Sequence, residues 1–150
     1  MLPITTFKTV VASTPLISID LIVRNNQKQV LLGLRNNQPA QGYWFVPGGR
    51  VRKDERLENA FRRLVSAELG SESEINNARF LGPYQHFYTD NFSDEDFSTH
   101  YVVLGYELTL NINLNDLPSD QHQDYRWFTV DELLASDQVH QHTKDYFFEL

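Results

Sequence analysis

The stretch PGGRVRKDERLENAFRRLVSAELG, residues 47–70, decides how this chain is read. Leu57, Ala60, Phe61, Leu64 and Val65 recur at helical spacing and make one apolar face. Asp54 is a suitable N-cap, because its side-chain oxygen accepts from the free N–H groups of a first turn. Glu55 and Glu58 then fall in that first turn, where negative charge suits the helix dipole. Gly70 stops the pattern as a C′ residue. The spacing therefore predicts an amphipathic helix over residues 54–69, entered from a loop at Pro47-Gly48-Gly49. Glu68 and Leu64 lie one turn apart on one side of it. A loop whose backbone approaches a ligand, next to a helix carrying acids, suits a metal–diphosphate site. Taken singly, each glutamate is better explained as a solvated helix acid. The combination, following an aromatic strand and a Pro-Gly-Gly turn, is what carries the signal.

Around this stretch the chain alternates strands with helices. Residues 5–13 form a short helix stopped by Pro15, and residues 16–24 a buried strand rich in Ile, Leu and Val. Asn25-Asn26 turns the chain into a second strand over residues 29–34, and residues 43–46 are a short strand leading to the Pro-Gly-Gly loop. Residues 78–87 and 99–110 read as a long antiparallel pair joined by a polar, aromatic segment. A loop over residues 116–124, a strand over 125–128, a short helix over 131–136 and a final helix over 139–148 complete the chain. The expectation is one α+β domain over residues 1–150, a mixed β-sheet sandwiched between α-helices.

The composition bounds the partners. With 13 basic and 20 acidic residues among 150, the net charge is −7, which argues against general nucleic-acid or acidic-membrane binding. A nucleotide held by a few local arginines is still compatible with it. There is no cysteine, hence no disulfide and no thiol chemistry. No basic segment followed by a long apolar run opens the chain, and no stretch approaches the ~18 apolar residues of a membrane span. A cytoplasmic location is expected.

The central stretch resembles the signature box of the Nudix superfamily. That box reads Gly, five residues, Glu, seven residues, Arg-Glu, an aliphatic residue, any residue, Glu-Glu, any residue, Gly. Gly49, Glu55, Arg63, Glu68 and Gly70 fall on its positions. Leu64 and Ala67 stand where the superfamily has glutamates that hold Mg²⁺ against a diphosphate and activate water. Their absence implies a changed metal site and a changed reaction.

Further segments are similar to the GDP-mannose mannosyl hydrolase family within that superfamily. They include Ser13-Thr-Pro-Leu16, Asn37 to Arg50, Gln85-His-Phe-Tyr88, Asp90-Asn-Phe92, Thr99 to Gly105 and Gln121-His-Gln-Asp-Tyr-Arg-Trp127. The two missing glutamates are expected in that family. The resemblance implies a Mg²⁺-dependent homodimer that splits GDP-mannose, and possibly GDP-glucose, into GDP and free sugar. Water attacks the anomeric carbon with inversion, whereas most Nudix enzymes attack phosphorus.

Carried over by motif, the resemblance places the metal on Gly48, Glu68 and Gln121, and the general base on His122. An imidazole titrates near ~6.5, so it takes a proton from water at neutral pH. Arg35 and Arg50 match residues that, by the resemblance, meet the diphosphate, where arginines would stabilise the charge that builds on departing GDP. Arg63 is either catalytic or an ion-pair partner for Glu55 or another helix acid. Asp20 and His86 match polar residues that, by the resemblance, face the substrate from strands. An acid within the apolar run 16–23 is unusual enough to make Asp20 a site candidate on sequence alone, with a strand-edge position as the alternative. Phe7, Tyr88 and Tyr101 are nucleotide contacts, with core or interface packing the alternative for Phe7 and Tyr88. His140 and His142 match no motif and read as surface residues. Two other functions compete: a Nudix diphosphatase attacking phosphorus, and a nucleotide-sugar binding module without turnover.

Overall fold

The computed structural model describes residues 2–118 and 122–148, with His122 and Gln123 described by their backbone alone. Among these residues seven strands form one mixed sheet. Its centre is β1 (Leu16–Arg24), which runs parallel to β6 (Thr99–Thr109), from Leu16 opposite Tyr101 to Arg24 opposite Thr109. β6 pairs antiparallel with β5 (Arg79–Tyr88), the long hairpin that the sequence predicts.

The other edge of β1 forks. β2 (Val30–Arg35) pairs with β1 at Arg24 and Val30, then diverges to pair with β3 (Trp44–Phe45) and with β7 (His122–Phe128). β4 (Gly48–Arg50) takes the place that β2 vacates and lies antiparallel to β1. The expected Pro-Gly-Gly loop is therefore a strand: Leu21 donates to the Pro47 carbonyl and Val51 to the Ile17 carbonyl, both at 2.8 Å. These bonds flank the Asp20–Gly48 pair, so alternation along the ladder leaves that pair unbonded and close. A Cβ on Gly48 would stand 2.3 Å from the Ile19 carbonyl oxygen and 2.7 Å from Asp20 Oδ1. Only glycine lets the two strands approach in this way.

Helices cover both faces, as expected. α2 (Leu57–Leu69) buries Ala60, Phe61, Leu64, Val65 and Leu69 against Ile19, Leu21, Val23 and Leu31. On the opposite face α3 (Val130–Ala135) and the C-terminal segment pack Leu133 and Val139 on Ile22, Val30, Leu32 and Phe128. Alternation along β1 feeds both cores, which is why its sequence is almost continuously apolar. α1 (Ile4–Ser13) lies across the mouth of the fork, and Lys8 ties it to Glu95 at 3.0 Å. None of the described helices is long and apolar enough to cross a membrane.

Three local expectations are corrected. The box helix begins at Leu57, not at residue 54, with Arg56 as N-cap. Asp54 sits at φ 65 in the preceding turn and caps nothing; Glu55 instead folds its carboxylate back to accept from the Arg52 N–H at 3.0 Å. The strand placed at residues 125–128 begins at His122. The final helix is shorter than expected: α4 (Gln141–Lys144) gives way to a 3₁₀ turn at Asp145–Phe147. Gly70, by contrast, ends α2 in the left-handed conformation, with φ 59.

Candidate active site

A cavity of about 950 Å³ opens where β1 and β2 part, roofed by α1 and walled on one side by α2. This volume suits a ligand of nucleotide-sugar size. Phe7, Asp20, Arg35, Gly48, Arg50, Arg63, Glu68, His86, Tyr88 and Tyr101 all line it, so residues scattered over the sequence converge. Gln121 lies outside the described residues. The backbone of His122 opens β7 opposite Arg35, which lines the cavity.

The α2 wall offers Leu64, Ala67 and Glu68 to the cavity. Glu68 is 9% exposed, so its carboxylate is held at the wall and not in bulk water. Beside it, the Arg63 guanidinium grips Glu55 with two bonds, Nε to Oε2 at 2.7 Å and Nη2 to Oε1 at 2.9 Å, and Nη2 also donates to the Arg50 carbonyl at 2.8 Å. Bidentate pairing of this kind is strong and directional. It pulls the Glu55 carboxyl down to a pKa of about 2, chiefly through the Arg63 hydrogen bonds against the opposing effect of burial. The geometry thus favours the ion-pair role for Arg63. It staples the turn before α2 to β4 and so fixes where Gly48 and Arg50 stand.

Two arginines stay directed at the cavity. The Arg50 guanidinium lies 4.8 Å from the Phe7 ring centre, a cation–π contact that anchors α1. Arg35 donates through Nε to the Pro39 carbonyl at 2.9 Å and lies 6.0 Å from the centre of the Phe45 ring.

The deep end is polar and buried. Asp20 accepts from the Tyr146 hydroxyl at 2.5 Å. Burial raises its pKa to about 7, against the lowering effects of Tyr146 and Arg35. His86 is 3% exposed, and its Nε2 has no hydrogen-bond partner among the described residues. Burial, with neighbouring His142 and His140, pushes its pKa down to about 3, so it is neutral at physiological pH. A neutral imidazole nitrogen and a carboxyl, both desolvated, are what a hydroxyl-rich ligand needs. Burial also raises the phenols of Tyr88 and Tyr101, which stay protonated as donors.

The surface reading of His140 and His142 is wrong. His142 stacks on His86 with ring centres 4.3 Å apart and planes 4° from parallel, and its Nε2–H donates to the Phe87 carbonyl at 3.1 Å. His140 stacks on Phe45 at 4.7 Å. Together with Tyr146 they make the C-terminal segment a second layer behind the lining residues Phe45, His86 and Asp20. Nothing in their spacing signals this, because it depends on how the chain returns across β5 and β3.

The NUDIX domain family model matches residues 14–150. The chain belongs to the Nudix family. Among characterised relatives, the low-salt glycan biosynthesis protein Agl8 of Haloferax volcanii is 38% identical over 122 residues, covering 81% of this chain and 76% of that protein. The nucleoside triphosphatase NudI of Salmonella agona is 28% identical over 121 residues, covering 77% and 83%. The fold is shared with the MutT protein of Methanosarcina mazei, with a TM-score of 0.73 at 23% identity over 90% of this chain and 92% of that one. It is shared too with the NUDIX domain of NrtR from Shewanella oneidensis, complexed with ADP ribose, at 0.66 and 17% identity over 97% of each chain. The Nudix box of this chain therefore occupies the strand β4, the turn and α2 at one wall of the cavity, with two of its acidic positions replaced by apolar residues.

Proposed function

We propose that this Nudix hydrolase cleaves GDP-mannose to GDP and free mannose by water attack at the anomeric carbon, with inversion. The observation that carries the reading is the composition of the α2 wall: Leu64 and Ala67 face the cavity where a phosphorus-attacking site needs carboxylates, leaving Glu68 as that wall's acid. Asp20, half-buried, and His86, buried, supply polar groups for a sugar. The similarity to a protein named for glycan biosynthesis fits a substrate that carries a sugar.

In this reading His122 removes a proton from water. The water oxygen bonds to the anomeric carbon as the bond from that carbon to the diphosphate oxygen breaks, and the electron pair leaves with GDP. Arg35 and Arg50 stabilise the charge that grows on the diphosphate, so they act more strongly on the transition state than on the ground state. Phe7, Tyr88 and Tyr101 hold the nucleotide.

Among the described residues no three His, Asp or Glu side chains come together as a metal site. A Mg²⁺ ion would rest on Glu68, the Gly48 carbonyl and Gln121, an oxygen donor set that suits this hard cation when water and diphosphate fill the remaining positions. Bound there, Mg²⁺ supplies positive charge to the diphosphate. A homodimer in the cytoplasm, with GDP-glucose as a second substrate, completes the reading.

Hydrolysis in ¹⁸O-labelled water tests it. Label in mannose, with unlabelled GDP, is expected. Label in a phosphate product, or release of GMP with mannose 1-phosphate, would replace this reading with phosphorus attack.

A further inference from the structure

Tyr146 lies behind the cavity lining and outside every recognised motif. It sits in the C-terminal 3₁₀ turn, yet its hydroxyl donates to Asp20 Oδ2. The path is opened by Gly105. Asp20 and Gly105 are partners across the parallel β1–β6 ladder, so their side-chain directions lie on one face of the sheet. The Tyr146 ring fills the place where a Gly105 side chain would stand: a Cβ there would be 2.9 Å from Tyr146 Cε1. Tyr84 holds the ring from the next strand, edge to face at 4.5 Å. The second Asp20 oxygen, Oδ1, lies over Gly48. The carboxyl is therefore pinned from both sides, by a phenol on one oxygen and by bare backbone beneath the other.

We infer that Tyr146 is a positioning residue whose hydroxyl fixes the Asp20 carboxyl in the cavity lining, making the C-terminal segment a support behind the recognition wall. A carboxyl on a buried strand otherwise has two or three rotamers open to it. A phenol held by Tyr84 and Gly105 selects one of them before the ligand arrives. In the proposed reading Asp20 meets the sugar while Phe7 and Arg50 meet the GDP moiety, so this preorganisation acts on the sugar and spares the nucleotide. The inference rests on the sugar-nucleotide reading proposed above.

The test uses Tyr146→Phe, which keeps the ring contacts and removes only the hydroxyl. It is combined with Asp20→Ala in a double-mutant cycle, measured as kcat/KM on GDP-mannose and as the Kd of GDP. Losing one hydrogen bond to a carboxyl predicts a fall in kcat/KM of about tenfold. GDP binding should stay within about twofold, and Tyr146→Phe should cost nothing further once Asp20 is alanine. Gly105→Ala displaces the ring without touching Asp20 chemically and should reproduce the loss. Equal losses in the presence and absence of the Asp20 carboxyl, or a parallel loss of GDP affinity, would overturn the inference. If wild-type protein releases other products from GDP-mannose, the proposed reaction fails by itself. The same cycle is then read on the nucleotide that the protein does hydrolyse, where additivity overturns the role of Tyr146 and coupling supports it.

Discussion

Leu64 rests directly on Gly49: a Cβ added to Gly49 would stand 2.5 Å from Leu64 Cδ2. One of the two residues that replace a box glutamate is thus packed into the core, 4% exposed, and not merely tolerated at the cavity wall. Gly49→Ala should force Leu64 off its rotamer and destabilise the fold by about 1–3 kcal/mol, the usual range for overpacking. Urea unfolding checks it, and an unchanged midpoint would mean that Leu64 has room to move.

The Arg63–Glu55 staple predicts a pH signature. The folded-state pKa of Glu55, about 2, lies below its ordinary value of 4.5. Its contribution is therefore fully present above the unfolded value and is lost as pH falls through the folded one. Arg63→Gln should be less stable than wild type at neutral pH, with the gap closing from about pH 5 toward about pH 2. Unfolding curves at a series of pH values read this, and a gap independent of pH would exclude the ion pair as its source.

How much of this was legible beforehand depends on the range of the interaction. β1, the β5–β6 hairpin and the C-terminal end of α2 follow from apolar runs and Gly70, signals contained within each segment. The start of α2 was misread because Glu55 is claimed by Arg63 and by the Arg52 N–H, which leaves Asp54 in a left-handed turn. The glycines looked like a loop because nothing local says that β2 leaves β1 free to pair with them. At the site, Gly48, Arg50, Glu68, His86, Tyr88 and Tyr101 line one cavity, while Gln121 lies outside the described residues. His140, His142 and Tyr146 were missed, since their partners Phe45, His86 and Asp20 are distant along the chain.

The buried histidines predict acid lability of the opposite origin. His86 and His140 have folded pKa values lowered to about 3 and about 4, mainly by burial, from the ordinary imidazole value of 6.5. The unfolded chain therefore binds protons below about pH 6.5 that the native state refuses, and stability falls as pH drops from there. His86→Gln should flatten the slope between about pH 6.5 and about pH 4. The slope of unfolding free energy against pH decides it, and an equally steep slope in the variant would refute the assignment to His86.

Glu68→Gln should leave the fold intact, because the amide keeps the shape of the side chain. Removing the charge of one of few proposed ligands should raise the Mg²⁺ needed for half-maximal activity by about 10–100-fold. Superimposable Mg²⁺ titrations of the two proteins would place the metal elsewhere.

His122→Gln removes the proposed base while keeping a polar side chain. The kcat should fall by about 10²–10⁴-fold, with little change in KM, and the acidic limb of the rate profile should vanish. Steady-state rates across pH measure both, and a variant that retains that limb would show that another group accepts the proton.

The parallel ladder at the centre of the sheet also sets an order of events for folding. The box turn and α2 form from neighbouring residues, but β1 and β6 must meet across most of the chain, with Leu16 opposite Tyr101. Their alignment carries a loop-closure entropy that no local contact offsets, so it should come late and limit the folding rate. Asp20 and Gly105 are brought side by side only by that ladder. A folding intermediate with its helix already formed would therefore gain nothing from added nucleotide, and ligand should slow unfolding without speeding folding.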